Sequence, residues 1–184
     1  LALAVLLWAA TGSAAQAAPD GVPGAPRVTR EQRFGNWGYL CAVARDARNR
    51  DVERCMISQL VSVNPRARQV VLGLTVDFAD SPEVPTLRAR FSSNAVRKAG
   101  IGIKVDAQPD MRLPIGDCDA LRCEAVGRMA QPVLKVWLSG KQARFAYLMD
   151  GGRQIVLPVS LNGFGQALDA LRQHPGGRPG AVKA

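Results

Sequence analysis

The amino-acid sequence predicts an all-β fold, an antiparallel sandwich or barrel closed by one short C-terminal helix. The clearest evidence is in residues 69–78, where apolar and polar side chains alternate in the pattern of a half-buried strand. Weaker stretches of the same kind occur at 37–43, 56–61, 87–91, 101–105, 133–138, 144–149 and 154–161. Turn-forming sequences rich in Pro, Gly, Asn and Asp separate them. Many short strands joined by such turns are typical of antiparallel sandwiches and barrels.

A helical period occurs near the end of the chain. Apolar residues there recur at the spacing of one helix face: Phe164, Ala167, Leu168 and Leu171. Asn162 and Gly163 precede this face as a cap, and His174-Pro175 ends it. The sequence therefore predicts one short amphipathic helix that closes the domain.

The N-terminal segment has the features of a secretory signal peptide. It begins with the apolar run LALAVLLWAA and continues with small residues, of which Ala15 and Ala17 fit the cleavage rule and predict processing before Ala18. A membrane-spanning helix needs about 20 apolar residues, so we expect no transmembrane span after processing. A buried N-terminal helix is the alternative. We therefore expect an exported protein, periplasmic or on the outer surface.

The length of 184 residues is that of a single domain. We expect a signal peptide at 1–17, a flexible linker at 18–32, one β-sandwich domain at 33–173 and a disordered tail at 174–184. The linker and the tail are assigned from their prolines and glycines and from their lack of hydrophobic periodicity.

Four cysteines, an even number, are expected to form disulfide bonds in an exported protein. Three connectivities are possible, and we expect the two local ones, Cys41 with Cys55 and Cys118 with Cys123. By loop-closure entropy the first bond contributes about 3 kcal/mol and the second about 2 kcal/mol. The absence of a C-x-x-C motif and the single histidine argue against a metal site and against a thioredoxin-like site.

The chain is basic, with 24 Lys and Arg against 15 Asp and Glu, a formal net charge of +9 and a pI near 10.1. This charge favours an anionic partner. If the strands at 69–78 and 87–91 form a hairpin, a local binding cluster of cations results: Arg66, Arg68, Arg88 and Arg90. In that hairpin we expect Asp77 to lie opposite Arg88. Nucleic acid is not an expected partner, because the basic residues are scattered and are not interleaved with stacking aromatics.

The sequence contains no catalytic constellation that we can identify. The one histidine, His174, stands in the Pro/Gly-rich tail, whereas a Ser/His/Asp triad, a Cys/His pair or a histidine zinc site needs a histidine in the core. The acids Asp117, Asp119 and Glu124 surround the second cysteine pair, and we interpret them as solvated loop residues. We expect no enzyme activity, no metal and no cofactor. A hydrolase that uses this acidic loop is the alternative.

An ordered set of motifs is similar to that of the invasion-associated locus B family. It comprises Phe34-Gly35-Asn36-Trp37 with Cys41, Cys55 with Gln59, Cys118 with Cys123, Gly140 before a Phe-containing strand, and Val159-Ser160-Leu161-Asn162-Gly163-Phe164 before Ala167-Leu168. Together these motifs span residues 34–171. Residues 91–96, Phe-Ser-Ser-Asn-Ala-Val, depart from the Leu-Pro-Leu-Gly-Val segment of such proteins.

This resemblance implies an immunoglobulin-like β-sandwich exported to the bacterial cell envelope, without catalytic activity or cofactor, in a family named for host-cell invasion. Trp37 is then expected to pack in the core beside a disulfide bond. The leading hypothesis is a non-catalytic envelope binding protein that aids host-cell contact or invasion. Its partner is expected to be an envelope or host protein or an anionic envelope surface. The alternative is an envelope housekeeping protein, structural or chaperone-like, with no host role.

Overall fold

The computed structural model describes residues 25–64 and 69–174. Most of this part of the chain is in antiparallel strands, and two short helices lie near its C-terminal end. In chain order the elements are β1 (Arg27–Phe34), β2 (Trp37–Arg45), β3 (Asp51–Asn64), β4 (Gln69–Asp77), β5 (Thr86–Ser92), β6 (Ile101–Val105), β7 (Met111–Leu113), β8 (Ile115–Cys118), β9 (Arg122–Arg128), α1 (Gln131–Ser139), β10 (Gln142–Leu148), β11 (Gln154–Ser160) and α2 (Phe164–Gln173).

The strands form two sheets. The larger sheet has seven strands in the order β1-β2-β3-β4-β5-β9-β8, and the smaller has four in the order β11-β10-β6-β7. All the strand pairs are antiparallel. The prediction of an antiparallel all-β fold from alternation and turns is therefore confirmed. The immunoglobulin-like arrangement is compatible with this order and stays a prediction.

The hydrophobic core is formed by every second residue of the strands, as the alternation in the sequence predicts. In β4, Leu72, Leu74 and Val76 have no solvent exposure, while the residues between them point out of the sheet. Full burial of such a side chain stabilises the fold by about 1.5–3 kcal/mol. The strongest strand signal in the sequence is thus a strand in the interior of the larger sheet.

An aromatic cluster lies where the two helices meet the sheets. The ring centroid of Trp37 is 5.0 Å from that of Phe164 and 6.4 Å from that of Trp137, and the Trp137 ring also contacts Phe145. Trp37 is therefore a core residue, as expected, and its packing on a disulfide bond stays a prediction. The helix α2 packs against β1, β2, β3 and α1. No helix in the described part of the chain is long and apolar enough to cross a membrane.

The sequence prediction was wrong for residues 133–138, which form the helix α1 instead of a strand. Pro132 stands in the first turn of α1, where proline is well tolerated, and the buried residues Leu134 and Trp137 are three positions apart on one helix face. A short apolar run fits the period of a strand as well as that of a helix, so the sequence did not distinguish between them. The fold has two short α-helices in its described part, one more than expected.

The boundary of the predicted linker also needs correction. Residues 27–32, assigned to the linker, lie in β1, which pairs with β2 along its length. Its side chains are almost all exposed, so no alternation of apolar residues indicates a strand. The prediction also missed β7, β8 and β9, whose sequences are short or rich in small residues.

The predicted hairpin between residues 69–78 and 87–91 is present as β4 and β5, but the predicted register is wrong by two residues. Arg88 lies opposite Thr75, and Asp77 lies opposite Thr86. The expected ion pair still forms, because Asp77 and Arg88 are diagonal neighbours on the same face, with Arg88 Nε 3.5 Å from Asp77 Oδ2. Phe78, which follows β4, and Thr86, which begins β5, are both buried.

Candidate functional site

Both predicted disulfide bonds are present. Cys41 in β2 lies directly opposite Cys55 in β3, and their sulfurs are 2.06 Å apart. Cys118 at the end of β8 pairs with Cys123 in β9, with a sulfur separation of 2.01 Å. Each bond joins neighbouring strands, which is why the local pairing predicted from spacing is confirmed.

The predicted arginine cluster is not assembled among the described residues. Arg66 and Arg68 lie outside the part of the chain that the structure describes. The Arg88 guanidinium is 2.6 Å from an Asp80 carboxylate oxygen, in addition to its contact with Asp77. Arg90 Nε is 2.6 Å from Glu124 Oε2. Arg88 and Arg90 therefore already have carboxylate partners, and binding by the four arginines stays a prediction.

A different set of cations lies on the outer face of the smaller sheet. Arg144 in β10 is exposed between two buried residues, and it lies directly opposite Lys104 in β6. Arg112 occupies the next row, opposite Gly102. Lys104 Nζ is 3.1 Å from Asp110, whereas Arg144 has no acidic side chain within ion-pair distance among the described residues. We call Lys104, Arg112 and Arg144 the cationic face.

The most organised group of chemically active side chains surrounds the first disulfide. His174 caps the C-terminal end of α2 and is buried, with 8% exposure. Its Nδ1 is 3.2 Å from Cys55 Sγ and 4.0 Å from Cys41 Sγ. The tail prediction was therefore wrong for His174. The helical face Phe164, Ala167, Leu168 and Leu171 continues to position 174, and this period was the signal in the sequence that could have placed it.

Two further side chains complete this cluster. His174 Nε2 is 3.8 Å from Glu53 Oε2, and Thr29 Oγ1 is 2.5 Å from the other oxygen of Glu53. The Tyr39 hydroxyl donates a hydrogen bond to Cys41 Sγ at 3.0 Å. Burial raises the pKa of Tyr39, with a smaller opposing effect of Arg30, so the hydroxyl stays protonated and remains a donor at neutral pH. We call Tyr39, Cys41, Glu53, Cys55 and His174 the disulfide–histidine cluster.

The chemistry of this cluster depends on the state of its sulfurs. While the disulfide is closed, neither sulfur is a nucleophile or an anionic ligand. The ligand atoms of Cys41, Cys55 and His174 nevertheless all lie within 4.8 Å of one another, and the three residues are buried. We expected no metal site because we expected His174 to lie outside the core, whereas it is buried beside the disulfide.

The residues on which the family resemblance rests join the two sheets. Ser160 in β11 accepts a hydrogen bond from Trp37 Nε1 at 3.0 Å and one from Gln59 Nε2 at 2.8 Å. Its own N–H donates to Gln59 Oε1 at 3.2 Å. Thus Trp37 and Gln59 of the larger sheet bind the backbone of the smaller one.

Next to this contact, two glycines allow two turns of the chain to approach each other closely. Gly163 has φ 86°, and a Cβ at this position would lie 2.0 Å from the carbonyl oxygen of Phe34. Gly35 has φ 55°, and its Cβ would lie 2.6 Å from the carbonyl oxygen of Asn162. The close approach of the two turns requires glycine at both positions. These motif residues have a structural role in closing the sandwich.

Comparisons with known proteins agree with this fold. The model of the invasion associated locus B (IalB) protein family matches residues 37–172. The chain is similar to a crystal structure of invasion associated protein B from Bartonella henselae, with a TM-score of 0.64 and 19% sequence identity. That likeness covers 77% of this chain and 94% of the other, and at this identity it shows the fold alone. A comparison with curated proteins found no match.

Proposed function

Since the chain belongs to the invasion associated locus B (IalB) family, we propose that it is an exported, non-catalytic binding protein of the bacterial cell envelope that aids host-cell contact. The observation that most strongly supports export is the pair of disulfide bonds between neighbouring strands. Such bonds persist in oxidising compartments outside the cytoplasm and are rare as structural elements inside it. Together with the apolar N-terminal segment they favour export to the periplasm or the outer surface.

The structural role of the motif residues supports a binding protein without catalysis. Trp37, Gln59 and Gly163 join the two sheets and their turns, and the side chains of Trp37 and Gln59 are buried. The one histidine of the sequence contacts the Cys41–Cys55 disulfide. A hydrolase would need an acid, a base or a nucleophile placed to meet a substrate.

The cationic face is the surface that we propose for an anionic partner. Like charges directly opposite each other on neighbouring strands destabilise a sheet, and Lys104 and Arg144 are such a pair. Asp110 offsets the charge of Lys104 in part, whereas Arg144 has no acidic side chain within ion-pair distance among the described residues. An anionic group bound between them would relieve this repulsion. The partner chemistry is therefore a polyanionic surface, such as an acidic envelope glycan or an acidic protein segment.

Fractionation of cells that express the full chain tests the export part of the proposal. We expect the protein in the periplasmic or outer-membrane fraction, with Ala18 as its N-terminus and no free thiol on mass spectrometry. A cytoplasmic protein with four free thiols and Trp8 retained would contradict export.

A charge-matched pair of variants tests the surface. Lys104→Gln with Arg144→Gln should weaken binding of the purified protein to an acidic polysaccharide such as heparin more than Arg48→Gln with Lys135→Gln, although both variants lose the same charge. Wild-type binding should also weaken as salt rises, because the Debye length falls to about 8 Å at 0.15 M. Equal weakening in both variants would assign binding to overall charge and contradict the cationic face.

A deletion strain separates the host role from a housekeeping role. We expect it to adhere to or enter host cells less than the parent strain while its envelope integrity is unchanged. Normal adherence combined with envelope defects would contradict the host role and support a structural or chaperone-like protein.

A further inference from the structure

The disulfide–histidine cluster has the components of a metal site once its disulfide is opened. Cys41, Cys55 and His174 come from three elements, β2, β3 and the end of α2, and their ligand atoms lie within 4.8 Å of one another. We propose that two-electron reduction of the Cys41–Cys55 bond converts this cluster into a buried site for a thiophilic divalent cation of the zinc class.

The distances fit such a cation. With metal–sulfur bonds of about 2.3 Å and metal–nitrogen bonds of about 2.0 Å in tetrahedral geometry, a sulfur and a nitrogen ligand lie about 3.5 Å apart. The distances from His174 Nδ1 to Cys55 Sγ and Cys41 Sγ are 3.2 and 4.0 Å, on either side of that value. The imidazole is therefore already placed, and only the two sulfurs have to separate, by about 1.7 Å from their bonded distance.

The surroundings of His174 also suit a metal ligand. A histidine that binds a metal through one nitrogen usually directs the other toward a carboxylate, which orients the ring and raises its basicity. In this structure Nδ1 faces the sulfurs and Nε2 faces the Glu53 carboxylate at 3.8 Å. Two thiolates and one imidazole leave one position of a tetrahedral ion for solvent.

The reaction balances with a dithiol as the reductant. The dithiol gives two electrons and two protons to the disulfide, the S–S bond breaks, two thiols form, and the reductant becomes a disulfide. A divalent cation then displaces one proton from each thiol, and the two thiolates and the imidazole lone pair bind it. Removing the metal in the presence of an oxidant closes the S–S bond again.

The second disulfide provides an internal control. Cys118 and Cys123 form the same bond, but His174 is the sequence's one histidine and it belongs to the first pair. Reduction of the second pair therefore gives two thiols without an imidazole. The proposal predicts metal binding for the first pair and not for the second.

The experiment uses the full mature chain reduced with a phosphine under anaerobic conditions and titrated with Co²⁺ as a spectroscopic substitute for Zn²⁺. We expect one Co²⁺ per chain, with thiolate charge-transfer absorption and the d–d bands of a tetrahedral ion. Cys118→Ser with Cys123→Ser should retain this spectrum, and the oxidised protein should not show it. His174→Ala should lose the tetrahedral bands, and Glu53→Gln should weaken binding by about 10-fold to 100-fold.

Near-ultraviolet circular dichroism reports folding in the same samples. If reduction loosens the fold, Co²⁺ or Zn²⁺ should restore the native signal in the Cys118→Ser/Cys123→Ser variant, because binding free energy becomes folding free energy. The proposal is overturned if the reduced variant binds no Co²⁺, if the metal fails to restore a lost native signal, or if His174→Ala binds Co²⁺ with the same spectrum and affinity.

Discussion

The two disulfide bonds lie in contrasting parts of the larger sheet. Cys41–Cys55 joins two strands inside the strand order, both cysteines are buried, and His174 at the end of α2 contacts it. Cys118–Cys123 spans five positions at the opposite edge, where β8 is the last strand and Cys118 is partly exposed. Cys123 is buried as well, so the difference between the two bonds is that both cysteines of the first are enclosed, whereas the second has one partly exposed cysteine in a local hairpin.

Removal of each bond should give the largest difference in stability between the two regions. Cys41→Ala with Cys55→Ala should lower the free energy of unfolding by about 3–5 kcal/mol, because a 14-residue separation is released and a buried cluster loses its centre. Cys118→Ala with Cys123→Ala should cost about 2 kcal/mol. Urea unfolding followed by tryptophan fluorescence gives both values. A larger loss for the second pair would contradict the assignment of the first pair to the core.

A second comparison concerns two turns of the backbone, one that packs against Phe34 and one that is open to solvent. Gly163 and Gly151 both have φ 86°, but a Cβ at Gly163 meets the Phe34 carbonyl and one at Gly151 meets nothing within 4 Å. Gly151→Ala should cost about 1 kcal/mol from conformation alone, and Gly163→Ala about 2 kcal/mol more. Thermal unfolding of the two variants isolates the steric part. Equal losses would show that the turns separate easily.

The hydrogen bonds between Gln59 and Ser160 are the next largest effect. Gln59→Leu keeps the side-chain size but leaves the Ser160 N–H without its partner, and we expect a loss of about 1–3 kcal/mol. Gln142→Leu changes an exposed glutamine on β10 and serves as the control, with an expected change within about 0.5 kcal/mol. Denaturant midpoints of the two variants decide whether these bonds hold the sheets together.

The alternation in β4 shows what sequence reasoning found and why. Every second residue of that strand faces the core, so the pattern is visible in the sequence itself. In β9 the inward positions are Cys123, Ala125 and Gly127, and a Cβ at Gly127 would meet the Leu113 side chain at 2.5 Å. Packing there requires small residues, which weakens the hydrophobic signal, so the strand was missed.

The candidate site was only partly predictable for a similar reason. The disulfide pairs follow from short sequence separations, which favour local closure. The contact of His174 with Cys55 depends on how α2 docks on β2 and β3, over a separation of 119 residues. Pro175 after His174 indicated a chain leaving the fold, although the helical period placed the imidazole on the buried face.

The ion pairs on β4 and β5, which lie between the two disulfides in the sheet, should have the smallest effect. Arg88 contacts both Asp77 and Asp80, yet such pairs near the surface contribute about 0.2–1 kcal/mol. Arg88→Met should therefore lower stability by less than about 1 kcal/mol, and the loss should shrink at high salt. A loss as large as that of the first disulfide, measured by urea unfolding at two salt concentrations, would contradict this ranking.

The contrast between a core disulfide and a hairpin disulfide is tested most directly by stepwise reduction with differential alkylation, read by peptide mass spectrometry. Exchange with a reductant requires access to a sulfur, and the first pair is buried beneath His174. We predict that Cys118 and Cys123 are labelled first, at reductant concentrations that leave Cys41 and Cys55 bonded and the near-ultraviolet circular dichroism native. Labelling of Cys41 and Cys55 before or together with the other pair would contradict the account.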